Sequence, residues 1–431
     1  MAISQLYPNT RPTLNLNFAL AKALDSRIEF SRTSTGTYVG SNGYIQTAAT
    51  NEPRFTYGPT GECLGLLIER SNTNTITNST THDTTDSVLS VTANSTTTLS
   101  PDGTNNAIRA EGVGNTAHFG YFGWSGSVAL YDVLSIYVKP DQVEKFWLGA
   151  AYAQSNLYAT FDLGTSPVTV TKGSDVYGAG AEYVGNGWYR VWMRSLVSSS
   201  FALIISLDPA KTRTALNQNV NIPTGHGLWV FGAQKEFKVV TSYIPTSGAT
   251  ITRSQDICKI NDLDTGSWWT DNAATIVADV TVAIKDMNQR ADAYFGVGNG
   301  TYGGANANDL IMGWVGNGVN NLSVGSNGSD FVLLLPSNSR RLKWVCGWTG
   351  TSPVGSTPNA SVVVSRDPTT VSNIAIPAQG ATPALPRTTM LLGDGWRFGN
   401  FGGGGPNSCI FHQLTVYTSQ LPDNQLKELV K

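Results

Sequence analysis

A chain of 431 residues is too long for one core of ordinary size and should divide into two or three domains. Charged residues make up only 13%, about half the usual share, but hydrophobic residues hold at 40% with 11 Trp, 16 Tyr and 15 Phe, so the composition excludes disorder. A formal net charge of −2, with no basic cluster denser than Arg340, Arg341 and Lys343, argues against nucleic acid as a partner. The start of the chain lacks a basic segment followed by an apolar run, and no stretch reaches membrane-spanning length. A soluble chain, not exported by the usual route and without membrane insertion, is therefore expected.

Residues 1–75 are rich in turns, with one or two helical turns at Asn17–Leu24 and extended pieces at Arg27–Phe30, Gly43–Thr47 and Leu64–Glu69. They read as an arm or small mixed module. Residues 76–255 form an all-β block, entered through the Thr/Asn/Ser-rich stretch Thr73–Thr98, with alternating strands at Val133–Val138, Ala202–Leu207 and Leu228–Phe231. A polar linker at Asp256–Gly266 leads to a second block, 265–431, with strands at Thr275–Ile284, Phe331–Leu335, Ser361–Ser365 and Ile410–Tyr417. Only Leu421–Val430 has a proper helix start, Pro422 and Asp423, ahead of an apolar face of Leu421, Leu426 and Leu429. Short strands between Gly, Asn, Asp and Pro clusters predict an all-β fold of two jelly-roll or sandwich domains, and no short repeat suggests a solenoid or propeller. The pair Trp268-Trp269 is expected to pack between domains.

Three ordered motifs carry a resemblance. The run Leu24-Asp25-Ser26-Arg27-Ile28-Glu29-Phe30-Ser31-Arg32 through Tyr38, then Asn51-Glu52-Pro53-Arg54-Phe55, then Gly65-Leu66-Leu67-Ile68-Glu69 resembles a segment of many tailed-phage fibre and tail proteins. Tyr137-Val138-Lys139, Gly187-Trp188-Tyr189-Arg190 and Ser242-Tyr243-Ile244-Pro245-Thr246 through Arg253 resemble elements of the sandwich that follows it there. The resemblance spans residues 11–255 and departs at Arg70-Ser71-Asn72-Thr73-Asn74, where the family has R-T-N directly. It implies a virion structural protein, a tail or capsid fibre or appendage, with a carbohydrate-module-like jelly roll. It also implies contacts to other virion proteins through the N-terminal region, a homotrimer, and synthesis in the host cytoplasm before display on the particle exterior. The second block resembles a concanavalin A-like or laminin-G-like sandwich through Met390–Asp394, Ile410–Tyr417 and Leu421-Pro422-Asp423.

Catalysis is poorly supported. Glycan hydrolysis needs two facing carboxylates, one kept protonated, yet Glu428 is the sole glutamate after Glu236. An Asp394–Asp309 pair would be the remaining depolymerase candidate. His82, His118, His226 and His412 are scattered without a G-x-S-x-G elbow, and Gly298–Gly303 satisfies G-x-G-x-x-G without opening a helix. Cys63, Cys258, Cys346 and Cys409 lack zinc-ligand spacing and read as buried free thiols, so no metal or cofactor is expected beyond a candidate structural calcium at Asn306–Asp309.

Glycan binding fits better, because sugars pack on flat aromatic faces beside hydrogen-bonding groups. The loop Gly393–Phe401 offers Asp394, Trp396 and Asn400, and Tyr121–Trp124 offers Tyr121 and Trp124. The expected role is an adhesin for host-surface glycans, with a purely structural decoration protein as the alternative.

Overall fold

The computed structural model describes residues 7–431, except 86–88, 95, 115–120, 150–155, 200–202, 208–221, 271–272, 283–294, 299–309, 315–320, 327–328, 335–340, 350–358, 365–366, 376–387 and 394–407. The regular secondary structure of the described residues is nearly all antiparallel strand, in keeping with the expected all-β class, with short helices at Phe18–Ala21 and Asp423–Leu429. None of their helices is long and apolar enough to cross a membrane.

The middle block is a jelly-roll sandwich of two six-stranded sheets. One, termed here the junction sheet, runs in the order Val176–Gly185, Trp188–Ser195, Asp132–Pro140, Gly227–Phe237, Ile108–Gly112, Leu89–Thr92. Its mate runs Thr169–Lys172, Tyr158–Asp162, Lys145–Gly149, Leu203–Ser206, Tyr121–Trp124, Thr84–Thr85. Strand alternation makes the core: Leu134, Ile136, Val138, Val191 and Met193 meet Phe146, Leu148, Phe161, Leu203 and Ile205.

The second sandwich corrects the expected division of the chain. Its larger sheet runs Asp367–Ala375, Asn359–Val364, Arg341–Thr349, Ala273–Val282, Cys409–Tyr417, Cys63–Ile68, Arg54–Tyr57, and Leu14–Asn17 also pairs with the last strand of the chain. Its smaller sheet begins Ile28–Ser31, Ile257–Ile260, Thr389–Leu392, Phe295–Gly298 and continues through three more strands to Leu334. Residues 1–75 are thus not a separate module. They supply strands whose inward side chains, Leu14, Leu16, Ile28, Leu66 and Ile68, are buried against Ile276, Val280, Phe411 and Leu414. Alone, so short a polar segment has no second layer to cover these groups.

The jelly roll is therefore an insertion between the strands Cys63–Ile68 and Ile257–Ile260. Its entry and exit pair as a two-stranded neck, Asn72–Asn74 with Ile251–Arg253. Close approach at the larger sheet depends on Gly65. At its φ of +140° a Cβ would lie 2.1 Å from the Phe411 carbonyl oxygen.

The terminal helix lies on the outer face of the larger sheet, where Leu421, Leu426 and Val430 join Val277, Val345, Val363 and Tyr417 in a separate core. Trp268 and Trp269 do not pack between the sandwiches. Trp269 is buried inside the second one with Trp268 beside it, and the Arg27 guanidinium lies 5.5 Å from the Trp268 ring centre. All four cysteines are free thiols; Cys258, Cys346 and Cys409 are buried, and Cys63 is half-buried.

Candidate functional site: a charged junction and the cleft beside it

The motif residues converge where the two sandwiches meet. Arg54, which lies on the Arg54–Tyr57 strand, donates to Glu69 Oε2 at 2.7 Å, Asp256 Oδ2 at 2.5 Å, Ser242 Oγ at 3.0 Å and the Thr37 carbonyl at 2.8 Å. Arg32 donates to the other Asp256 oxygen at 3.0 Å and to the carbonyls of Ser34, Ala49 and Glu52. Glu69 also accepts from the Ser242 amide at 2.6 Å and hydroxyl at 2.7 Å, while Arg253 approaches it at 3.5 Å. None of these five charged residues is more than 2% exposed.

Such a cluster is tolerable because its charges are paired and most of its polar atoms are hydrogen-bonded, the Nε atoms of Arg54 and Arg253 being buried without a hydrogen-bond partner. Burial alone would raise the Glu69 carboxyl, but Arg253 and Arg54, with the two Ser242 bonds, outweigh it and hold the group at about 2. Arg32, Arg54 and Glu69 come from the N-terminal segment, and Ser242, Arg253 and Asp256 from the exit of the jelly roll. The cluster therefore bolts the inserted domain to the sandwich.

Aromatic packing supports the same joint. Tyr137, Trp188, Trp229, Phe231 and Tyr243 on the outward face of the junction sheet form a buried cluster with Ile45 against it. The Tyr243 hydroxyl bonds Ser79 Oγ at 2.6 Å, and Thr37 Oγ1 donates to the Tyr243 carbonyl.

Beside this joint lies a cleft of about 360 Å³, walled on one side by the jelly roll and on the other by the second sandwich. The jelly roll contributes Trp192, Arg190, Glu182 and Tyr183, and the N-terminal strands contribute Tyr38 and Tyr57. Trp192 owes its position to strand pairing. It stands opposite Gly180, where a Cβ would lie 2.8 Å from the indole, so the ring rests across a glycine gap in the neighbouring strand. Tyr183 is 46% exposed and packs edge-on to Tyr189 at 5.2 Å.

Arg190 is fixed rather than loose. It lies 5.2 Å from the Tyr137 ring centre, donates to the Thr241 carbonyl at 2.5 Å and Ser135 Oγ at 3.1 Å, and is 4.0 Å from Glu236. Burial drives the Glu236 carboxyl upward, against Arg190 and the hydrogen bonds from Thr241 and Gln234. From the second sandwich come Arg341, gripped by both oxygens of Asp279 at 2.9 and 2.7 Å, and His412. The His412 Nδ1–H donates to the Leu64 carbonyl and Nε2 accepts from the Thr281 hydroxyl at 2.7 Å. Burial, reinforced by nearby Arg341, lowers its pKa and keeps the ring neutral.

The residues singled out from sequence fare unevenly. Asp394, Trp396 and Asn400 lie outside the described residues, as do Asp309 and the calcium candidate Asn306–Asp309. Trp124 is corrected: it is 2% exposed in the jelly-roll core with its indole N–H on the Asn78 carbonyl at 3.0 Å, so neither ring face is open to a ligand. Tyr121 is half-buried on the same strand and does not line the cleft. Sequence reasoning missed Trp192, Arg190, Tyr38 and Tyr57. A signal was present: Trp188, Arg190, Trp192 and Arg194 alternate along one strand face, opposite a strand carrying Gly178 and Gly180. Among the described residues no group of His, Cys, Asp and Glu is arranged to hold a metal ion.

Fold and site together define an all-β protein of two sandwiches with an aromatic cleft at their joint. No family model matches the chain, and no curated protein does. Similar solved structures are carbohydrate-module sandwiches and sialidases. The CBM40 of Ruminococcus gnavus IT-sialidase bound to α2,6 sialyllactose is 14% identical, with a TM-score of 0.28, over 40% of this chain and 92% of that one. Domain 4 of AbnA, a GH43 arabinanase from Geobacillus stearothermophilus, in complex with arabinotriose, is 13% identical over 41% of this chain and 73% of that one, with a TM-score of 0.26. The NanB sialidase of Streptococcus pneumoniae is 12% identical with a TM-score of 0.26; the match covers 39% of this chain and 26% of that one.

Proposed function

We propose that this chain is a structural subunit of a tailed-phage virion, a tail or capsid fibre or appendage, that binds host-surface glycans in the cleft between its two sandwiches. The observation that carries the binding half is the cleft itself: Trp192, Tyr183, Tyr38 and Tyr57 offer aromatic surface beside the firmly held Arg190 and the Asp279-paired Arg341. Apolar walls with a few fixed polar groups are what a sugar ring requires. The virion half rests on the ordered motifs between Leu24 and Arg253, of whose charged members Arg32, Arg54, Glu69 and Arg253 meet around Asp256 in one buried junction.

In this reading the protein is an adhesin and not an enzyme. It is made in the host cytoplasm, assembles as a homotrimer, contacts other virion proteins through the N-terminal part of the second sandwich, and faces outward on the particle. The resemblance to a concanavalin A-like or laminin-G-like sandwich belongs to the same reading.

A bacterial-glycan array probed with the full chain and with Trp192→Ala tests it. Binding that falls at least about tenfold in the variant, with no release of reducing ends, is the expected result. Absence of binding would favour the purely structural decoration protein, and released reducing ends would favour a depolymerase. Light scattering giving a mass three times that of the chain, and antibody labelling of virions in micrographs, check assembly and location.

A further inference from the structure

Resting on that reading, we infer that the site takes a linear, uncharged polysaccharide several rings long, which continues out of the cleft along the outer face of the larger sheet. The strand Cys409–Tyr417 connects the two ends of this path. It brings Ile410 and His412 into the cleft and Gln413, Thr415 and Tyr417 into a second hollow, of about 140 Å³, that ends against Leu429 of the terminal helix. At about 3.4 Å per residue, Ile410 to Tyr417 covers roughly 24 Å, room for several sugar rings.

The two hollows meet at one ion pair: Arg341 lines the cleft, and Asp279, whose carboxylate it holds, lines the second hollow. The floor of the second hollow is polar and already organised. Asn15 Oδ1 accepts from Gln413 Nε2 at 3.1 Å and from Thr415 Oγ1 at 3.2 Å, so these groups are fixed before any ligand arrives.

Charge selects the occupant. Asp279 stands opposite Lys343 and holds Arg341, and Glu182 stands opposite Arg190, so charges along the path are largely matched within the protein. Amides, hydroxyls and paired charges suit a chain of neutral hydroxyl groups; a polyanion would need a row of unmatched cations. The terminal helix covers the apolar part of the same face, through Val277, Val345 and Tyr417, while Gln413 and Asn15 remain accessible to solvent.

The test is calorimetry of the full chain, Trp192→Ala and Gln413→Ala with malto-, chito- and manno-oligosaccharides in single-ring, three-ring and six-ring lengths, and with dextran sulfate. Affinity is expected to rise at least about tenfold from one ring to six, and Gln413→Ala to abolish most of that gain while leaving single-ring binding intact. Trp192→Ala should weaken every length. Equal affinity at all lengths, a six-ring affinity untouched by Gln413→Ala, or a preference for dextran sulfate would overturn the extended site while leaving glycan binding in the cleft standing. Failure of every probe to bind would remove both. Gln413 is half-exposed, and an unchanged unfolding midpoint in its variant separates lost contact from lost fold.

Discussion

Arg54 shows what one side chain contributes at the joint. Its planar guanidinium reaches two carboxylates, a hydroxyl and a carbonyl, a geometry that a single ammonium cannot copy. Arg54→Ala leaves Glu69 and Asp256 facing each other's charge in a buried site and should cost about 3–5 kcal/mol in urea unfolding, with Arg54→Lys recovering only part of it. Glu69 makes the joint acid-sensitive in a defined window. Its carboxyl is held at about 2 against an ordinary value of 4.5, so its stabilisation is complete above the ordinary value and is lost as pH falls through the folded one. The contribution at neutral pH is about 3 kcal/mol. Unfolding midpoints should stay flat from neutrality to about pH 5 and then drop, more shallowly in Glu69→Gln, which is weaker at neutral pH from the start.

At the scale of the element, the terminal helix is the clearest case of local sequence meeting a tertiary need. Asp423 sits in its first turn and Lys427 in its last, matching the helix dipole, but it is short and its position comes from Leu426, which is fully buried on the sheet. Leu426→Ala should cost about 2–5 kcal/mol and raise hydrogen exchange across the helix before the sheet beneath it opens. Strand pairing places the candidate ligand platform in the same way. Gly180→Val would push a branched side chain into the Trp192 indole. Reduced glycan binding is expected, with a smaller loss of stability because the strand lies at the sheet edge.

For the whole molecule, the consequence of the insertion is that the first and last parts of the chain fold together. The strand Cys409–Tyr417 pairs with Leu14–Asn17, Cys63–Ile68 and Ala273–Val282, so the second sandwich cannot close until residue 417 has been synthesised. A chain ending at residue 407 should keep a folded jelly roll and lose the second sandwich. Limited proteolysis would then yield a resistant fragment bounded near the neck, Asn72–Asn74 and Ile251–Arg253. A fragment of residues 1–75 alone should show no cooperative unfolding, because its strands have no partner sheet.

The sequence by itself determined the all-β class, some of the strands, such as Asp132–Pro140, Ala273–Val282 and Cys409–Tyr417, the terminal helix and the free state of the thiols. These follow from alternation, helix-start chemistry and cysteine spacing, all readable over a few residues. It also marked Arg32, Arg54, Glu69 and Arg253 as a set through their motifs, without saying what they do. Tertiary structure alone decided that the N-terminal segment belongs to both sheets of the second sandwich, that Trp124 and Trp269 are core while Trp192 lines a cleft, and that Arg32, Arg54, Glu69 and Arg253 meet as one bolt. Partners more than 150 residues apart in the chain, such as Arg54 with Asp256 or Leu14 with Val416, leave no local periodicity to read. An aromatic residue in a strand has the same pattern whether its face meets a second sheet or a cleft.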